Sequence, residues 1–308
     1  MLKLKSPAKI NLYLRILNKR SDGYHNIVTL FERINLFDDI TINVGATRRV
    51  APTIRITCSD PNVPKGPENL AYKAAQALLD YTGKSLSCHI TIKKRIPVGG
   101  GLAGGSSNAA TVLLGLNRLW ELKLSKKELM LIGAKIGADV NFFLLGARFA
   151  IGKRSGEVTS PLRIKKALWH VLVNPGKGLP TKDIYELWDN MHIWCRETPT
   201  PRWPPAKQIG LTQALVDVKI LVHSIRDKNL TLLANNLFND LEGPAQVKES
   251  TISEIKGLLR SCGVKAVLMS GSGPTVFGIV PAGKEAVRIK RELIRLRHDL
   301  QIFIAKTY

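Results

Sequence analysis

Between Pro97 and Asn108 the chain reads Pro97, Val98, Gly99, Gly100, Gly101, Leu102, Ala103, Gly104, Gly105, Ser106, Ser107, Asn108, with five glycines in the seven positions 99–105. So little side chain lets several backbone N–H groups converge on one anion. Ala109, Val112, Leu113, Leu116 and Leu119 then recur at helical spacing, and Ser106 or Ser107 is the expected N-cap. A glycine loop opening into a helix N-terminus binds phosphate by geometry and by dipole. It is not a Walker loop, because no Gly-Lys-Ser/Thr ends it, and the second serine spoils the dinucleotide fingerprint. A flexible linker is the plain alternative, but Cys88, Ile90 and Ile92 alternate as a strand that delivers the chain straight into the loop.

Phosphoryl transfer needs little else: a held triphosphate, spread charge, and an aligned hydroxyl helped to lose its proton. Ser106 or Ser107 can offer a hydroxyl to Mg²⁺ or to a phosphate oxygen. Lys9 and Asn11 share one face of an alternating segment, Ala8 to Leu17, whose other face is Ile10, Leu12, Leu14 and Ile16. Asp139 follows Gly137 at an expected helix-to-strand corner. Beside the loop, such an aspartate would take or orient the proton, while the lysine offsets charge on the phosphoryl oxygens. Taken singly each residue has a bland reading. Lys9 is one of 46 basic side chains, Asp139 suits a cap or turn, and Tyr24-His25 could merely close a hairpin.

The elements that must position these residues read as α+β in two domains, 1–160 and 161–308, with the boundary in the Lys-, Arg- and Gly-rich stretch 152–166. Strands are expected at Ala8 to Leu17, from Ile27 onward, around Ile40–Val44 and Ile54–Ile56, at Cys88–Ile92, Phe142–Ile151, Leu168–Val173, Val264–Met269 and Thr275–Val280. Helices are expected over 69–81, after the glycine loop, from the capping box Ser125-Lys126-Lys127-Glu128 through Ile136, over 211–226 and 229–241, and through Ala286, Ile289, Leu293 and Leu296. Four prolines in 198–205 mark a loop without evident chemistry. The balance of 46 Lys+Arg against 24 Asp+Glu, net +22, favours an anionic partner. Scattered cysteines and histidines exclude a disulfide framework and a zinc site, and no apolar run reaches membrane-spanning length. With no apolar leader at Met1–Pro7, the expected location is cytoplasmic.

Five segments in order carry a specific resemblance: Pro7 to Leu12, Arg20 to His25, Pro97 to Asn108, Ile136 to Val140, and Ser270-Gly271-Ser272-Gly273-Pro274. Together they resemble the GHMP kinase superfamily over essentially the whole chain, and most closely those members acting on a cytidine-diphosphate-linked methylerythritol. The resemblance implies a two-domain GHMP kinase fold: an N-terminal domain similar to a ribosomal-protein βαβ fold and a ferredoxin-like C-terminal domain. It implies ATP and Mg²⁺, a cytidine-diphosphate-linked alcohol as acceptor at its 2-hydroxyl, and a place in isoprenoid precursor synthesis. Lys9 and Asp139 would be the catalytic pair, Pro97 to Ser107 would wrap the triphosphate, and Lys94 and Asn69 would approach the adenosine. Asn11 would hold the acceptor near its reacting end. Tyr24 and His25 would meet the cytosine, His25 by stacking and base contacts, with Tyr185 stacking on its other side, and Thr181 with Gly271, Ser272 and Gly273 would lie alongside. Ala103 stands where the family commonly has glycine, and must keep a negative φ or sit strained. The alternatives are another small-molecule kinase of the superfamily, of homoserine or mevalonate type, and a basic RNA-binding protein reusing the fold. No interleaving of aromatic and basic residues supports the latter, so nucleic acid and membrane are not expected partners, and a monomer or homodimer is.

Overall fold

A computed structural model describes residues 1–45, 53–197 and 209–308. The proline-rich segment 198–205 lies outside them. In chain order the elements are β1 (Leu2–Lys19), β2 (His25–Val44), β3 (Ile54–Cys58), α1 (Leu70–Thr82), β4 (Cys88–Lys93), α2 (Gly104–Leu119), α3 (Lys126–Ile136), α4 (Val140–Leu145), β5 (Phe149–Arg154), β6 (Val158–Leu162) and β7 (Trp169–Asn174). There follow α5 (Thr181–Glu197), α6 (Leu211–Arg226), α7 (Leu230–Asn236), β8 (Phe238–Asn239), α8 (Glu242–Lys248), α9 (Thr251–Ser261), β9 (Ala266–Met269), β10 (Val276–Val280), α10 (Gly283–Leu296) and β11 (Gln301–Lys306).

β1 and β2 form one long antiparallel hairpin, closed where Lys19 faces His25. Gly23 at φ 84° and the Asp22 carboxylate, which accepts from Tyr24 N at 3.1 Å, make the turn. Ile27–Leu36 and Ile40–Val44 are therefore one continuous strand. Its outer edge pairs with β5 along Ile27–Glu32 and with β4 along Asp39–Val44. β4 in turn pairs in parallel with β3, and α1 makes the crossover that a parallel pair requires. The second sheet is antiparallel throughout, in the order β11-β7-β10-β9. With α10 between β10 and β11, that is the ferredoxin-like order.

Both halves share a core. Ile10 and Leu12 of β1 pack in one cluster with Leu172 of β7, Phe277 of β10 and Val218 and Leu221 of α6. The opposite face of β1 lies beneath α2. Residues Ala8 to Leu14 are thus buried on both faces, where alternation suggests a half-exposed strand. The chain passes to the second sheet after β6, and the boundary expected near 160 falls within that strand. β8 then returns from the second half to pair with β1 at Tyr13 and Leu14.

Three expectations of local structure are corrected. Phe142–Ile151 is the short helix α4, ended by Gly146 at φ 72°, and then β5. Its run of apolar residues fits a buried helix or a buried strand equally, and in the structure Phe142 of the helix stacks on Phe31. The helix over 229–241 stops at Asn236, because Asn239 spends its side chain on the carbonyls of Met269 and Gly271. Finally, α2 starts at Gly104 with Ala103 as N-cap, so neither Ser106 nor Ser107 caps it.

Candidate active site

Phosphate chemistry starts at the mouth of α2. Ser107 N already bonds Ala103 O at 3.0 Å, whereas the amides of Gly104, Gly105 and Ser106 find no acceptor among the described residues. The loop before it is held open by a second turn. A Cβ at Gly101 would lie 2.0 Å from Ser270 O, and Ser270 Oγ donates to Gly101 O at 3.0 Å. Ala103 takes φ 54°, the strained alternative, so that the chain can swing from loop into helix.

Behind the loop sits Asp38 of β2, fully buried. Its carboxylate accepts from Arg95 N at 2.8 Å, Ile96 N at 2.9 Å, Asn108 Nδ2 at 3.0 Å and Lys94 Nζ at 2.5 Å. This anchor aims the Lys94 amine at the start of α2, where a Cβ on Gly104 would stand 2.9 Å from Nζ. Ser6 donates to Ser107 Oγ at 2.7 Å, turning that hydroxyl into the protein. Of the two serines left open by the sequence, Ser106 lines the cleft and Ser107 does not. Leu102 is likewise a core residue, 1% exposed, and only its backbone belongs to the loop. Asn69 caps α1, its Oδ1 accepting from Ala71 N at 2.8 Å and its Nδ2 donating to Pro64 O at 2.6 Å.

Lys9 rises from β1 beneath the loop, its own amide bonded to Leu102 O at 3.1 Å. Its buried ammonium donates to Asn11 Oδ1 at 2.5 Å and stands 3.5 Å from Asp139 Oδ2. Phe31 lies under it at 5.6 Å, so the charge is compensated on several sides. Asn11 is aligned by Thr29, which accepts from Nδ2 at 2.7 Å and donates to Tyr13 O at 2.7 Å. Asp139 precedes α4 and makes no capping bond with it, leaving Oδ1 for a ligand. The second glycine turn approaches closely, since a Cβ at Gly271 would lie 3.3 Å from Lys9 Nζ.

These residues line one cleft of about 890 Å³ that runs from Asn69 and Lys94, past the loop, Lys9, Asn11 and Asp139, to Tyr24, His25, Thr181, Tyr185, Gly271 and Ser272. At the far end Thr181 and Ser272 hydroxyls meet at 2.9 Å. His25 and Tyr185 stack on each other with centroids 4.9 Å apart. The face of His25 turned to Tyr185 is thereby covered, and Trp188 stands edge-on to the same ring at 5.6 Å. Tyr24 is 65% exposed at the mouth. Burial, with Asp139 and Asp240 nearby, pushes the Tyr185 phenol well above its usual range. Sequence reasoning missed Asp38, an acid inside an apolar strand, and Asp189, which extends the four-residue spacing of Thr181 and Tyr185.

The chain matches the family of GHMP kinase N-terminal domains over residues 69–147 and that of GHMP kinase C-terminal domains over residues 221–298. It is 39% identical over 296 residues to the 4-diphosphocytidyl-2-C-methyl-D-erythritol kinase of Citrifermentans bemidjiense, covering 96% of this chain and 95% of that one. With the enzyme of the same name from Geobacter metallireducens it shares 40% over 285 residues, 92% of this chain and 91% of the relative. A crystal structure of 4-(cytidine 5'-diphospho)-2C-methyl-D-erythritol kinase superposes with TM-score 0.75 and 31% identity, over 99% of this chain and 98% of that one. The match to a homoserine kinase from Cytophaga hutchinsonii, TM-score 0.70 at 17% identity over 100% of this chain and 94% of the other, shares the fold. Over nearly its whole length, then, the chain belongs to the family of 4-diphosphocytidyl-2-C-methyl-D-erythritol kinases within the GHMP kinases.

Proposed function

We propose that the protein transfers the γ-phosphoryl group of ATP to the 2-hydroxyl of 4-diphosphocytidyl-2-C-methyl-D-erythritol. The observation that carries this reading is the Lys9–Asp139 pair, 3.5 Å apart, at the mouth of a helix with three uncommitted amides. The amides of Gly104 to Ser106, the α2 dipole and the Lys94 ammonium hold the triphosphate. Asp139 Oδ1 accepts the hydrogen bond of the attacking hydroxyl and aligns its oxygen with phosphorus. As the transition state is loose, the proton leaves late, and the Asp139 carboxylate stands ready to receive it. Lys9, kept in place by Asn11, offsets the charge gathering on the oxygens between donor and acceptor.

Mg²⁺ fits the donor set. Asp139 and Ser106 offer side-chain oxygens in the cleft that holds the phosphate mouth, and no group of three or more His, Cys, Asp or Glu among the described residues forms a cage of its own. This suits an ion carried largely by phosphate oxygens, which it would neutralise. Asp139→Asn is expected to lower kcat about 10²–10⁴-fold with the KM for ATP nearly unchanged, measured by coupled ADP release. Wild-type turnover of homoserine or mevalonate in place of the cytidyl substrate would overturn the substrate assignment.

A further inference from the structure

Helix α5 carries Thr181, Tyr185 and Asp189 along one face, four residues apart, and all three line the cleft. The first reaches the second glycine turn and the second covers the ring of His25. Asp189 reaches the far nitrogen of that ring, with Oδ1 2.7 Å from Nε2. Its other oxygen accepts from Lys19 Nζ at 2.6 Å. Lys19 and His25 face each other across the β1–β2 ladder, so one carboxylate closes the end of that hairpin. The ring is also boxed by Tyr185 on its face and by Trp188 edge-on at 5.6 Å.

An ionised carboxylate only accepts hydrogen bonds, so the nitrogen facing it must carry hydrogen. In the neutral imidazole the proton then sits on Nε2, and Nδ1 keeps its lone pair. We propose that Asp189 is a positioning residue for base recognition: it fixes His25 as the Nε2–H tautomer and leaves Nδ1 as an acceptor for the ligand. An acceptor there takes the 4-amino hydrogens of cytosine and repels O4 of uracil, so the residue sets the preference for an amino-bearing pyrimidine. The base preference rests on the cytidyl substrate proposed above, whereas the tautomer does not. If Asp189 only tethered α5 to the hairpin through Lys19, its loss would cost stability and leave tautomer and base preference alone.

The full chain labelled with ¹⁵N-histidine, at about pH 8.5 where an ordinary imidazole is neutral, reports the tautomer through two-bond ¹H–¹⁵N correlations. His25→Gln assigns the signals. Wild type is expected to show the Nε2–H form and Asp189→Ala a mixture of both. In steady-state assays Asp189→Ala is expected to raise the KM for the cytidyl substrate about tenfold with kcat and the KM for ATP within about twofold. Its preference for the cytidyl over the uridyl analogue is expected to fall about tenfold, and Asp189→Glu to recover part of both. A proton on Nδ1 in wild type, an unchanged single tautomer in Asp189→Ala, or an unchanged KM and base preference would each overturn the proposal. Should Asp189→Ala not fold, the wild-type tautomer and the Asp189→Glu kinetics decide. Should wild type turn over neither analogue, the substrate reading fails and the tautomer measurement still judges Asp189.

Discussion

One methyl group at Gly101 would probe how tightly the two glycine turns are joined. The position has φ 73°, and the added Cβ would fall 2.0 Å from Ser270 O, a contact backbone cannot relieve without moving. Because Ser270 Oγ also accepts from Asn11 N at 3.3 Å, that movement would spread to the strand bearing Lys9. Gly101→Ala is expected to cost about 2–4 kcal/mol in thermal unfolding and to lower kcat/KM for ATP by at least about tenfold. Parent-like melting and kinetics would show that the turns need not touch. Residues of this kind were half legible. Glycine runs and a Lys-Asp couple stand out by type, but nothing in the spacing of Phe37-Asp38-Asp39 says that one carboxylate is buried beneath Lys94 while the next meets solvent and pairs with Lys5.

At the scale of elements, local signals did best where local chemistry decides. The Ser125–Glu128 capping box forms as its spacing predicts and starts α3. Helix α2 departs from that pattern, because Ala103 at its N-cap makes no side-chain capping bond. Ala103 holds a left-handed conformation that costs a Cβ-bearing residue about 1–2 kcal/mol. Part of that is returned by the greater freedom glycine has when unfolded. Ala103→Gly is therefore expected to stabilise the fold slightly, raising Tm by about 1–2 °C in calorimetry, with the KM for ATP unchanged. A lower Tm would mean that the Ala103 methyl, which packs against the cluster around α1 and α2, outweighs the strain. The role of α5 was not legible as an element. Thr181 and Tyr185 come from a resemblance, and their common helix face with Asp189 emerges only when the helix is laid over the β1–β2 turn.

At the scale of the whole molecule, a buried polar link joins the two sheets. Glu32 of β2 faces His170 of β7 at 2.8 Å and accepts from Thr307 Oγ1 at 2.5 Å, with Glu32 and His170 both fully buried. Removing one partner strands the other, so His170→Leu is expected to cost about 3–5 kcal/mol in denaturant unfolding, and Glu32→Met/His170→Leu much less than that. Additive losses would show that the two groups do not interact. The Asp39 carboxyl is held low by Lys5, Glu128 by Ser125, and Asp299 is brought to about 2 by Arg297. For Asp189 burial pulls upward, but the hydrogen bonds from Lys19 and His25 prevail and hold it low as well. A carboxyl whose folded value lies below its unfolded one adds stability above the unfolded value and loses it as pH falls through the folded one. Tm is thus expected to hold from pH 7 to about 4 and to fall between about 4 and 2. The net charge of +22, rising as carboxylates are protonated, steepens the fall. A Tm flat to pH 2 would mean that these pairs contribute nothing.

The amino-acid order alone determined which backbone can cradle phosphate, which segments alternate, and which side chains are of the right type for proton and charge transfer, because each of these is a property of neighbours along the chain. The tertiary structure decided that β1 is covered on both faces, that Ser106 rather than Ser107 meets the cleft, and that a helix from the second half delivers Tyr185 and Asp189 to His25 in the first. Those outcomes depend on contacts between residues more than a hundred positions apart, whose burial and hydrogen bonds come into being only when the two sheets close on a common core.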